Sequence, residues 1–311
     1  MLNDSDLETN KVPWLERVII ASVITFLCCM LLLVNILMLF TLKSKTVFRE
    51  TSRYILLYNL LSADTLQMTV SQILFMLSIC RVTLLYPVCG VLVMFAYLIS
   101  EVPPLTLVVM SLERYVAVCF PLRHSTMVNV ENTGLAILVL WSLCLLNTLI
   151  RVVLLLQLPF EELESLQMKT LCNILLLFLV PESHIYDTVY NTVLFVFAGV
   201  AVIFSYISVM IAARSASADK ASTQKARDTL LLHLIQLCLI LISTVHSTLI
   251  VNISQIVSRL VFIRIMNVFY IFIIILPKCL SALIYALRDH TIRPVFFKYL
   301  FCQFKVSSLK D

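Results

Sequence analysis

The chain has 311 residues, of which 61% are hydrophobic and 13% charged, and its net charge is +5. A soluble domain is about 45–50% apolar and about 25% charged, so this chain has too little polar surface for water and lipid is the solvent for most of it. The positive charge is spread out and makes no nucleic-acid footprint, and nine prolines and three glycines leave little room for flexible linkers.

Residues 1–17, MLNDSDLETNKVPWLER, are acidic and polar. They lack the basic region, short apolar core and small-residue cleavage site of a secretory signal, and are read as an extracellular N-terminus. Asn3, in NDS, is a glycosylation acceptor there, whereas Asn252, in NIS, sits at the membrane edge and is less accessible. Seven apolar segments follow, at 18–42, 54–78, 88–113, 133–156, 187–213, 229–253 and 261–287. A hydrocarbon core about 30 Å thick takes roughly 20 residues of helix. Only helices and closed barrels satisfy every backbone group in lipid, and these runs are far longer than barrel strands. The expected fold class is therefore all-α: a seven-transmembrane helix bundle over 18–287, its first span an uncleaved signal-anchor. A cytosolic tail, 288–311, follows with a short amphipathic helix.

Lys and Arg in the short loops set the orientation. Lys43, Lys45, Arg49 and Arg53 follow the first span, Arg123 the third, and Arg214, Lys220, Lys225 and Arg227 the fifth. The tail adds Arg288, Arg293, Lys298, Lys305 and Lys310. The other side carries the acidic N-terminus and Glu161, Glu162, Glu164, Glu182 and Asp187, with Arg81, Arg259 and Arg264 as exceptions. The balance predicts a multi-pass plasma-membrane protein with its N-terminus outside and its C-terminus in the cytosol.

The spans hold few polar residues. The first has Asn35 and the second, in LSAD, has Asp64. A carboxylate in a span costs about 2.5–3.5 kcal/mol on insertion scales, so Asp64 is expected to face the bundle interior. Glu101, in the third span, follows Cys89 by twelve residues, roughly 18 Å along a helix and near mid-membrane. Pro103 and Pro104 remove backbone donors just below it and should bend the helix. Glu101 then either covers the freed backbone or floors a pocket for a polar or cationic ligand group. Arg151 and His246, also inside spans, are its expected partners.

The third span ends in MSLERYVAVCFPLRH. A snorkelling anchor on the cytosolic side accounts for Arg114 but leaves the adjacent Glu113 unexplained. Trp141 marks the fourth span, Tyr206 the cytosolic end of the fifth, and SALIY, Ser281 to Tyr285, the end of the seventh. In the tail, Ile292, Val295, Phe296, Tyr299 and Leu300 share one helical face, which suits a helix on the inner leaflet. Cys302 beyond it is a palmitoylation site or a buried thiol. Of ten cysteines, Cys28, Cys29, Cys144, Cys238 and Cys279 read as small buried apolar residues. Cys89 and Cys172 fall on the oxidising side, where disulfides persist, with Cys80 as an alternative partner for either.

In this order and spacing, Asn35, Asp64, Cys89, Glu113–Arg114–Tyr115, Trp141, Tyr206 and Ser281–Tyr285 resemble the rhodopsin-like G-protein-coupled receptors, over Asn35 to about Cys302. MSLERYVAVCFPLRH and LRDHTIRPVFFKYL look like odorant receptors of the fish type, and the short 214–228 loop and N-terminus are similar to theirs. The sequence departs from the family in three places. Ser281–Ala282 replaces the seventh-helix Asn-Pro, the sixth span has no Trp or Pro, and the second outer loop has one Cys where many odorant receptors have several.

The resemblance implies a Cys89–Cys172 bridge. It implies a latch in which Glu113 holds Arg114 at rest, with Tyr115, Tyr206 and Tyr285 in the same switch. It also implies an allosteric polar hub of Asn35, Asp64 and Ser281, with a sodium ion at Asp64 as a further use. Pro103 stands where a third-helix Ser commonly helps hold that ion. No other metal and no cofactor is expected.

Amine receptors carry an Asp eighteen residues before the motif Arg, and this chain has Ala96 there. The expected pocket residues are Tyr97, Ser100, Glu101, Tyr190, Asn191, Thr244, His246, Thr248 and Asn267. A mainly apolar cavity with a few polar groups suits a small organic ligand. The expected function is an odorant receptor, not an enzyme. Its partners are a small-molecule odorant, a heterotrimeric G protein of the cAMP-raising type and membrane lipid, without nucleic acid. One alternative is a related receptor for a peptide, lipid or nucleotide. The other is a transporter or channel, whose folds often show paired halves that are not visible here.

Overall fold

The computed structural model describes residues 14–80, 82, 84–156, 181–216, 238, 257 and 259–301. The first five predicted spans are single helices: α1 (Trp14–Ser44), α3 (Ser52–Ile79), α4 (Tyr86–Cys119), α6 (Val130–Leu156) and α7 (Pro181–Ala216). Each runs a few residues past the apolar segment that announced it. Short helices α2 (Thr46–Glu50) and α5 (Pro121–Met127) connect them. The predicted sixth span lies outside the described residues apart from Cys238. The seventh is composite: α8 (Arg259–Phe269), a π-helical turn (Tyr270–Ile275) and α9 (Leu276–Arg288). Helix α10 (Ile292–Leu300) closes the described chain. Among the described residues, six helices are long and apolar enough to cross a membrane.

Local chemistry sets several helix ends. Pro87 and Pro121 open α4 and α5, where a missing N–H costs nothing. The Asn129 side chain accepts the Asn132 N–H at 2.7 Å and caps the start of α6. Asp289 does the same for α10, accepting the N–H groups of Thr291 at 2.9 Å and Ile292 at 3.2 Å. Its carboxylate also lies 3.3 Å from Arg53 and accepts the Tyr54 hydroxyl at 3.3 Å, so it ties α10 to the start of α3.

The third span, α4, is the axis of the bundle, packed by α3, α6 and α7. It runs unbroken through Pro103 and Pro104. Asn59 binds two neighbours: it donates to Thr106 Oγ1 at 2.9 Å and accepts the Trp141 indole N–H at 3.0 Å, joining the second, third and fourth spans. At the end bearing α10, Leu57, Leu60, Met110, Tyr285, Ile292 and Phe296 form one apolar core. The outward faces stay apolar too. Val193, Val196, Phe197, Val200 and Phe204 of α7 are all exposed, as a lipid-facing helix requires.

The tail helix agrees with the sequence at four positions of five. Ile292, Val295 and Phe296 are buried and Tyr299 packs on the core, whereas Leu300 points outward at 39% exposure. Leu300 lies one residue, roughly 100° of turn, beyond Tyr299 and off the buried face. Cys28, Cys144 and Cys279 are buried as expected, but Cys29 and Cys238 are exposed. Adjacent residues on a helix point in different directions, so Cys28 and Cys29 cannot share one buried face.

Candidate functional site

Among the described residues, most charged side chains of the spans gather at three levels along the bundle. The level nearest the N-terminal side is built on Arg151 of α6, which is 1% exposed. Its guanidinium hydrogen-bonds to Glu101 of α4 and donates to Asp187 of α7 at 2.8 Å. Glu101 also accepts from the Asn147 amide and from the Tyr190 hydroxyl, the latter at 3.1 Å. Tyr186 donates to Asn147 Oδ1 at 2.5 Å and Asn191 to Asp187 Oδ2 at 3.0 Å. The rings of Tyr97 and Tyr190 flank the guanidinium, with centroids 4.7 and 5.3 Å away. Lipid cannot solvate a lone cation, so two carboxylates and two ring faces hold this one. The cluster therefore clamps the third, fourth and fifth spans together. The buried Tyr97 hydroxyl has no hydrogen-bond partner within the described protein.

These contacts settle several sequence expectations. Arg151 is a partner of Glu101, while His246 lies outside the described residues. Glu101 binds side chains of two other helices, α6 and α7, and among the described residues none of its hydrogen bonds goes to backbone freed by the prolines. Asp187, assigned from the sequence to the outer flank, is buried in the bundle. Its helix begins at Pro181, a turn and a half before the apolar run that marked the span. Of the pocket residues, Tyr97, Glu101, Tyr190 and Asn191 join the cluster, and Ser100 donates to the Tyr97 carbonyl at 2.8 Å. Asn267 is half-buried at the end of α8. Thr244, Thr248 and the acceptor Asn3 lie outside the described residues. Asn147 and Tyr186 were missed because neutral polar residues carry no charge signal in an apolar run.

The middle level holds Asp64, fully buried, and Lys278 of α9, 2% exposed. Lys278 Nζ lies 3.6 Å from Asp64 Oδ1 and donates to Gln67 Oε1 at 2.5 Å. The predicted hub is corrected here. Asn35 makes no hydrogen bond to Asp64; its amide donates to Met68 Sδ at 3.4 Å. The Ser281 side chain lies outside the described residues. Lys278 was the signal overlooked: one ammonium in the apolar run IILPKCLSALIY demands a partner inside the bundle.

At the third level, the Arg114 guanidinium donates to the Tyr285 hydroxyl at 3.5 Å. Glu113 Oε1 lies 3.7 Å from His124 Nε2 of α5. Among the described residues no ion pair joins Glu113 to Arg114, so the adjacent-residue latch is not formed. Residues next to each other on a helix do not face each other. Tyr115 packs against Phe120 and Phe204, and the neighbour of the half-buried Tyr206, Ser205, donates to the Ser111 carbonyl at 2.6 Å. Cys89 is disulfide-bonded and Cys80 is a free thiol, which removes Cys80 as its partner. Cys172 and Cys302 lie outside the described residues. Across the bundle mouth, Arg264 meets Glu16 at 2.9 and 3.1 Å.

Comparison with known proteins places these levels in context. Residues 34–285 match the family model described as "7 transmembrane receptor (rhodopsin family)". The chain is 32% identical over 273 residues to a zebrafish (Danio rerio) protein named Odorant receptor 131-2, covering 88% of this chain and 83% of that one. It is 28% identical over 125 residues to Olfactory receptor 1500 of Rattus norvegicus, covering 40% and 39% of the two chains.

Proposed function

The chain belongs to the rhodopsin family of seven-transmembrane receptors, and from that premise we propose that it is an odorant receptor: a small organic molecule binds within the bundle and a heterotrimeric G protein is activated. The observation that carries this reading is the 32% identity to a zebrafish odorant receptor across 88% of the chain. The family is one of membrane-spanning receptors and not of enzymes, so any nucleotide exchange belongs to the G protein. The finer assignment puts the N-terminus outside, the tail in the cytosol and a cAMP-raising G protein at the end bearing Arg114. A Cys89–Cys172 bridge, glycosylation at Asn3 and palmitoylation at Cys302 belong to the same reading.

The ligand site is the neighbourhood of Tyr97, Ser100, Glu101, Tyr190, Asn191 and Asn267, together with Thr244, His246 and Thr248. The Tyr97 hydroxyl, which has no partner among the described residues, has hydrogen-bonding capacity to spare there. The third span carries both Glu101 and Arg114, thirteen residues and roughly 20 Å apart. A ligand that binds more tightly to one packing of that span shifts the balance at Arg114, and it can shift it only by that difference in affinity.

The test is a cAMP assay in cells expressing an olfactory-type G protein, run against a broad odorant panel. Ligand-dependent cAMP that disappears in Arg114→Ala, with surface expression retained, is the expected result. Normal signalling by that variant would overturn the assignment. Ligand-dependent current or flux without any G protein would favour a channel or transporter.

A further inference from the structure

Asp64 and Lys278 face one another deep in the bundle, Asp64 fully buried and Lys278 2% exposed. Neither oxygen of Asp64 has a hydrogen-bond partner, so the carboxylate relies on the ammonium 3.6 Å away. The resemblance to rhodopsin-like receptors raises a free sodium ion as the expected counter-charge, and the residues present do not fit one. Sodium needs several oxygen ligands around it. Pro103 offers no side-chain oxygen and the nearby Gln67 oxygen already accepts from Lys278, so among the described side chains named for the site only the Asp64 carboxylate and the unpartnered Asn35 Oδ1 are left as ligands, too few to surround the ion. An added sodium ion beside Asp64 would also meet the ammonium at close range in a low-dielectric interior, where like charges repel strongly.

We infer that Lys278 is the resident cation of Asp64, a counter-ion tethered to the seventh span, and that this receptor is consequently indifferent to sodium. A free ion leaves and returns with the salt outside the cell, whereas this one moves only when the seventh helix moves. Lys278 lies seven residues, about two helical turns, before Tyr285, so the two share the buried face of α9. The ion pair to the second span therefore holds the helix that presents Tyr285 to Arg114. Lys278 acts on the switch as a positioning residue, through the helix that carries it.

The experiment is thermal unfolding of the purified full-length receptor in sodium chloride and in choline chloride of equal ionic strength. The wild type is expected to unfold at the same temperature in both. Asp64→Asn and Lys278→Met each lower the unfolding temperature by stranding the other partner, and the double variant recovers most of the loss. A wild-type unfolding temperature that rises in sodium would overturn the inference. So would a double variant whose loss equals the sum of the two single losses. Because the readout is stability, the outcome is decided whether or not the receptor answers odorants.

Discussion

A single residue, Arg151, shows how charge survives in lipid in this molecule. It stands between carboxylates from two other helices, with an aromatic ring on either side. Removing one partner of a buried ion pair costs about 3–5 kcal/mol, because the other is left without compensation. Arg151→Met is therefore expected to lower stability by that order, read as a fall in thermal midpoint and in surface expression. Glu101→Gln keeps an acceptor for Asn147 and Arg151 and should cost less. An unchanged response of Glu101→Gln to every active ligand, with normal expression, would mark Glu101 as purely structural. The sequence exposed Arg151 and Glu101 because charges stand out in apolar runs. It hid Asp187 because the hydropathy boundary of the fifth span fell beside that residue, so the acid read as loop. Lys278 was legible by the same rule as Asp64 but lay beside a motif that drew attention to Ser281 and Tyr285.

Between helices, the informative contacts are those one side chain makes with two neighbours. Asn59 is such a joint. Trp141→Phe strands the Asn59 carbonyl oxygen in a dry interface and is expected to cost about 1–3 kcal/mol, measured by thermal unfolding of the purified receptor. Asp289 joins α10 to the second span and caps it, so Asp289→Ala should weaken that helix by about 1 kcal/mol. Faster amide exchange across residues 292–300, with little change in the spans, is the measurement that checks it. Existence and type of these helices were legible because long apolar runs admit one solution in lipid. Their ends were not, since capping side chains and prolines extend helices beyond the apolar stretch. The π-helical turn had no sequence signature at all: YIFIII reads as ordinary apolar helix.

At the scale of the whole molecule, the seven-span order and the basic bias of alternate loops predict opposite placement of the two termini. An epitope added before Met1 should be stained on intact cells, and one added after Asp311 only after permeabilisation. The reverse pattern would overturn the orientation. The axial role of the third span is visible only in three dimensions, because burial by neighbouring helices leaves no trace in hydropathy. The π-helical turn at Tyr270–Ile275 also has a consequence for phase. Such a turn accommodates one residue more than an α-helix would, so everything after it is rotated by roughly 100° relative to everything before it. Deleting one residue there, such as the exposed Phe272, would wind the helix back and swing Lys278 and Tyr285 together off the face they now share. The seventh span is thus two half-helices set at different azimuths, and the turn between them determines which side chains the lower half shows to Asp64 and Arg114.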